Sequence, residues 1–245
     1  MKFGALFMAL SLTSTVWASD QAEVPHQRVA LENFESYPSR AFPQAWKVRG
    51  DEEEARLVYR VAEENGNRFL HARAEKQRVQ IGIMHPFLPT QYPILQWRWR
   101  VQALPVGADE RVSEANDSAA GVYVVFDNTI APRVIKYVWS AALPQGAHID
   151  SPSYWRAKVV VLESGAPTTH DWKQEAVNVY EDYKKLFGAE PGEVEGVALL
   201  TDSDTTGSVA EADYDDFALL PASVAQAGGS DEVAASTPTP LTRTK

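Results

Sequence analysis

Apolar and polar residues alternate with period two through most of the middle of the chain, which is the mark of half-buried β-strands. In residues 96–101 (QWRWRV), Trp97, Trp99 and Val101 point one way, and Arg98 and Arg100 the other. Residues 121–126 (GVYVVF), 134–139 (VIKYVW), 158–162 (KVVVL) and 197–200 (VALL) are β-branched and aromatic runs. The first of these is apolar on both faces, as a central strand of a two-layer fold would be. Residues 56–61 and 68–74 read as two more strands, and Asn65-Gly66 between them reads as a hairpin turn. About ten strands bounded by Pro, Gly, Asn and Asp predict a mainly β fold. Its form would be a two-layer antiparallel β-sandwich, jelly-roll or carbohydrate-binding-module-like, with one short helix. That helix rests on the spacing of Tyr183, Leu186 and Phe187, with Asp182 at its start and Gly188 as its stop.

The two ends follow a different pattern. In residues 1–18, Lys2 is the only charge, a short apolar run spans 4–12, and small residues flank Trp17 before position 19. This order predicts a secretory signal peptide over 1–18, hence a periplasmic or secreted protein. The run is shorter than the ~20 residues that span a bilayer, so no membrane span is expected once the signal is removed. Residues 19–27 are expected to be flexible and 28–220 to form a single β-sandwich domain. Residues 221–245, with Gly-Gly and Thr-Pro repeats, hold too few large apolar groups to offset ordering entropy and read as a disordered tail.

Composition narrows the function classes. Of 245 residues, 44% are hydrophobic and 23% charged, which excludes a mainly disordered, collagen-like or multi-span membrane chain. With no cysteine there is no disulfide framework, thiol nucleophile or Cys-ligated metal. The 33 acidic against 23 basic residues, a net charge of −10, argue against a nucleic-acid partner. No nucleophile elbow, phosphate loop, zinc-helix motif or dinucleotide fingerprint occurs. The five histidines (His26, His71, His85, His148, His170) form no metal pair.

Four constellations could carry chemistry. Asp202, Asp204, Thr206, Gly207 and Asp213 fall at positions one, three, five, six and twelve of a loop whose spacing suits calcium. Position twelve lacks the longer Glu, and strand-like flanks leave a solvated acidic hairpin loop as the alternative. Asp216 with Glu32 or Glu35 is a second cation candidate. The aromatics Trp97, Trp99, Trp139, Trp155, Trp172, Tyr123 and Tyr137 either stack on sugar rings or fill the core. Arg98, Arg100 and Lys136 either form a pocket for a uronate, sulfate or phosphate, or pair across strands with Glu163, Glu175 or Asp117. The candidate ligand-binding residues are therefore Arg98, Arg100, Asn116, Asp117, Tyr123, Lys136, Tyr137 and Glu175. The candidate calcium ligands are Asp202, Asp204, Thr206 and Asp213.

The blocks WRWRV (97–101), NDSAAGVYVVF (116–126), IKYVWS (135–140), VVVLESG (159–165), NVYEDYKKLFG (178–188), TDSDTTG and ADYDDFAL (within 201–219) closely resemble a bacterial family, the domain-of-unknown-function family numbered 3047. The resemblance covers about 29–220. It implies an exported Gram-negative protein of mainly β structure, and carries no substrate or catalytic residue with it. The reading that follows is a non-catalytic module binding a glycan or another anionic envelope ligand. The alternatives are a polysaccharide lyase or hydrolase, with Tyr123, Tyr137 and Arg98 serving a lyase, or a structural envelope protein with a protein partner.

Overall fold

A computed structural model describes residues 27–126, 131–167 and 169–222. The expected signal segment 1–18, all but Gln27 of the flexible stretch 19–27, and the expected tail beyond 222 lie outside the described residues.

Two sheets stack face to face. The first, sheet A, contains β1 (Val29–Glu32), β3 (Tyr59–Glu64), β4 (Asn67–Glu75), β6 (Ile94–Ala103), β11 (Lys173–Asn178) and β13 (Val209–Leu220), in the order β11-β6-β13-β4-β3 with β1 also on β13. The second, sheet B, runs β2 (Lys47–Arg49), β5 (Gln80–Phe87), β12 (Val194–Leu200), β7 (Ala120–Phe126), β8 (Arg133–Ser140), β10 (Ala157–Ser164) and β9 (His148–Asp150). Between the sheets lies one core, led by Trp97, Trp99, Tyr137, Tyr214, Phe126 and Phe217, all at most 1% exposed. The alternation therefore resolves toward packing: the tryptophans of β6 face inward and its arginines outward.

The expected sandwich is present, with two differences of detail. Every strand pair is antiparallel except β8 and β10, which run parallel. The chain leaves β8, runs back as β9 at the far edge of sheet B, and turns into β10 between the two, so β8 and β10 share a direction. Among the described residues there are also two α-helices. The expected one is α2 (Val179–Phe187), stopped by Gly188 at φ 63° but capped by the Asn178 side chain rather than by Asp182. The other, α1 (Glu52–Val58), replaces the start of the strand expected over 56–61. Asp51 accepts from the Glu54 amide at 2.8 Å, three glutamates fill the first turn, and Ala55 and Val58 are buried one turn apart. Cap and helix dipole together override the alternation there. The Asn65-Gly66 turn forms as expected, with φ of 55° and 80° joining β3 to β4.

Candidate functional site

Strand register places one line of side chains abreast on the outer face of sheet B. Lys47 lies opposite Gly82, Gly82 opposite Ala198, Ala198 opposite Tyr123, and Tyr123 opposite Lys136. Their chain neighbours Ile81, Val122, Val124, Ile135, Tyr137 and Leu199 face the core, as strand alternation requires. Further across the sheet, Val138, Leu143, Val159 and Val161 form a buried cluster, with Ala147 and Ile149 packed against it at the β9 edge. Ser151, Ser153 and Tyr154, in the turn from β9 to β10, wall a cavity of about 670 Å³. The Tyr154 hydroxyl donates to the Pro132 carbonyl at 2.6 Å and pins the wall to β8.

Tyr123, Val134, Ala157 and Leu200 form an apolar lining, while Arg49, Arg78, Gln80 and Lys136 supply polar groups. Lys136 is 6% exposed, with its ammonium 5.0 Å from the centre of the Tyr123 ring. Among the described residues its ammonium has no salt-bridge partner, whereas Lys158 pairs with Asp150 and Arg111 with Asp109. Burial pulls the Lys136 pKa below the ordinary lysine value, and the charges of Asp202 and Glu110 oppose that pull.

Beside this cavity, the loops after β6 and β12 meet. Asp117, Asp202 and Asp204 bring one carboxylate oxygen each within 4.8 Å of the others. Asp117 accepts the amides of Thr205 and Thr206 at 3.3 and 2.7 Å, and Asp202 that of Ser118 at 2.9 Å. Burial pushes Asp202 up to about 7, against the pull of Lys136 and the Ser118 amide. Glu110, fully buried, accepts from Ser140 at 2.6 Å and is raised by burial. Asp117, Asp202 and Asp204 are the residues that could share a hard cation such as calcium.

The twelve-position loop itself does not assemble. Extended strand begins at Val209 and carries Asp213 into sheet A. There it is fully buried and accepts from Arg100 at 2.7 Å and Gln102 at 2.6 Å, with His71 Nδ1 at 2.8 Å. Thr206 turns its hydroxyl to Ser208 at 2.8 Å and gives its amide to Asp117. The second cation candidate is dispersed too. Glu32 accepts the Asn33 and Phe34 amides, Tyr37 and Trp46, while Glu35 accepts the Arg68 amide. Asp216 pairs with Arg98 at 2.9 Å.

The expected cation trio is also split. Arg98 and Arg100 lie on the outer face of sheet A, and Lys136 on that of sheet B. Arg98 reaches Asp215 at 2.6 Å and Asn67 at 2.8 Å; Arg100 reaches Asp213 and Glu64, the latter at 2.9 Å. Trp172 covers both guanidinium groups at 4.7 and 4.6 Å. Pairing across strands therefore holds in kind, with partners other than those expected. Tyr137 is in the core, donating to Asp182 at 2.8 Å, so Tyr123, Tyr137 and Arg98 do not share a cleft. Glu175 accepts from the Trp99 indole at 3.0 Å, and Asn116 donates to Ser153 of the cavity wall at 3.0 Å. Of the expected ligand-binding residues, only Tyr123 and Lys136 line the cavity.

Arg49, Arg78, Gln80 and the Ser151–Tyr154 wall were not foreseen. Only Lys47-Val48-Arg49 held a signal, two cations at strand spacing flanking a core valine. Arg78 precedes β5, and the wall depends on how the turn from β9 to β10 folds back, which no local pattern encodes.

Several solved structures align with most of the chain at low similarity. The family 11 carbohydrate-binding module of the Clostridium thermocellum cellulase Lic26A-Cel5E is 8% identical, with a TM-score of 0.41 over 81% of this chain and 96% of that one. The family 30 module of a Clostridium thermocellum cellulosomal cellulase is 11% identical, with a TM-score of 0.40 over 79% and 96%. The family 11 xylanase of Neocallimastix patriciarum is 11% identical, with a TM-score of 0.36 over 80% and 100%. At this distance the likeness says nothing of a ligand. No curated protein sequence matches the chain. The family model described as "Protein of unknown function (DUF3047)" matches residues 44–218, and the chain belongs to that family.

Proposed function

We propose that the protein is a non-catalytic module that binds an anionic glycan in the cavity over sheet B, at the cell envelope. The carrying observation is Lys136: a buried lysine that makes no salt bridge among the described residues, opening on a cavity whose other charged residues are Arg49 and Arg78. A buried ammonium is costly, and an arriving carboxylate or sulfate gives it a direct partner in addition to the charges of Asp202 and Glu110, neither of which pairs with it. A volume of about 670 Å³ suits a small oligosaccharide. Tyr123 and Tyr154 add ring surface beside the cations, the usual pairing of an apolar lining with a few placed polar groups. No second reading is favoured over this one by a specific contact.

The test is calorimetric titration with uronate- and sulfate-bearing oligosaccharides and their carboxyl-reduced or desulfated counterparts. The acidic forms bind and the neutral forms do not. In Lys136→Gln the affinity falls at least about tenfold, about 1.4 kcal/mol, while the melting temperature stays level or rises because a buried charge is gone. Equal binding by K136Q and the parent protein, or equal binding of neutral and acidic forms, overturns the proposal.

A further inference from the structure

We propose that this site is a blind groove that takes one end of a polyuronate chain, with the terminal uronate at Lys136 and the chain leaving across β2. The inference rests on the glycan-binding reading and extends it to the ligand's class and direction.

A second cavity, of about 200 Å³, adjoins the first. The two share Arg49, Gln80 and Val125, so they lie side by side on one face of the sheet, and together they make the groove of this proposal. Its axis follows the line Lys47, Gly82, Ala198, Tyr123, Lys136, across five neighbouring strands. Four strand spacings of ~4.8 Å make this about 19 Å, longer than one sugar ring. The middle stays open because its floor is Gly82 and Ala198, where larger side chains would stand in the ligand's path.

The two ends differ. Beyond Lys136 the next residue in register is Val159, then Ile149 on the edge strand β9, and Val159 is buried in a cluster with Val138, Leu143 and Val161 against which Ala147 and Ile149 pack. Ser151, Ser153 and Tyr154 wall the first cavity on that side, and there the proposal places the end of the groove. At the other end the groove reaches β2, the edge strand, with Lys47 exposed and Met84 64% exposed beside it. Among the described residues no strand of sheet B lies beyond that edge.

Charge selects a polyacid. The groove is lined by Lys47, Arg49, Arg78 and Lys136 against a single carboxylate, Glu195, in a chain with ten more acidic than basic residues. Among the described residues none of the four cations forms a salt bridge, whereas Arg68, Arg73, Arg98, Arg100 and Arg111 all do. Four unpaired cations spread along a groove suit a ligand with a repeating carboxylate, and only Lys136 sits in the closed end.

Stoichiometry tests this directly, with oligogalacturonates of two, four and six units and with polygalacturonate as probes. End capture gives one protein per chain at every length, and polymer that has been partly depolymerised binds more protein per unit mass. Affinity rises from the disaccharide to the longer fragments, and Lys47→Glu lowers the ratio of hexamer to dimer affinity at least threefold. Several proteins per long chain, or no rise in affinity with length, overturns the blind groove while leaving acidic-glycan binding standing. Failure of every galacturonate, together with failure of the sulfated oligosaccharides, overturns the glycan-binding reading itself.

Discussion

At Glu175 the protein buries most of a carboxyl whose hydrogen-bond partner is one indole N–H, that of Trp99. Burial first, and the charge of Glu163 second, push its pKa up from 4.5 to about 7, against the Trp99 hydrogen bond. A carboxyl raised in this way favours the folded state in its protonated form. The contribution is complete below pH 4.5 and is lost as the pH climbs through about 7. Glu175→Gln keeps an acceptor for Trp99 and removes the ionisation. The variant should match the parent at pH 5 and exceed it at pH 8 by about 1–2 kcal/mol, a figure reduced for the partly solvated position. Urea melts at the two pH values check this; an equal gain at both would assign the effect to packing. Residues of this kind show how far a sequence goes. Charge type and strand position made Lys136 and Glu175 equally good candidates, yet one opens on a cavity and the other props an indole. The difference lies in which sheet each strand joins, and neighbouring residues do not state it.

Elements were easier to read than sites because a strand's period is local and its partners are not. The inward tryptophans of β6, the Asn65-Gly66 turn and the Gly188 stop all follow from short-range rules. The path through β9 does not, because parallel pairing of β8 with β10 depends on where a long excursion lands. β12 supplies the sharpest element-scale test. Its register shifts between Val194 and Gly196 against both β5 and β7. A Cβ on Gly196 would stand 2.2 Å from the Ile83 carbonyl oxygen and 3.2 Å from the Met84 Cα, both backbone atoms that cannot rotate away. Gly196→Ala must therefore part β12 from β5 and should cost about 2–3 kcal/mol. Gly192, with nothing within 4 Å of its added Cβ, is the control, and Gly192→Ala should stay within about 0.5 kcal/mol. Equal denaturant midpoints for the two variants would show that the bulge has slack.

Across the whole molecule, the groove runs against the charge of the chain that carries it. A protein of net charge −10 repels a polyanion at long range, so binding depends on cations that act at short range. These fall into two kinds. Lys47, Arg49 and Arg78 are exposed, and salt screens them; Lys136 is buried, and salt screens it far less. Raising the ionic strength from about 0.15 M to 1 M shrinks the screening length from about 8 Å to about 3 Å. Two opposed effects follow: the repulsion from the rest of the acidic surface fades, and so does the attraction of the exposed trio. Contact distances decide between them, because the trio lies in the groove and the bulk of the acidic surface does not. Affinity for a galacturonate tetramer should therefore fall several-fold in 1 M salt without vanishing, and the remainder should belong to Lys136. The double variant Arg49→Gln, Arg78→Gln should flatten the salt dependence, while K136Q should lower affinity at both salt levels and leave the slope in place. Titrations at the two ionic strengths separate these behaviours, and a parent affinity indifferent to salt would mean that the exposed cations take no part in holding the ligand.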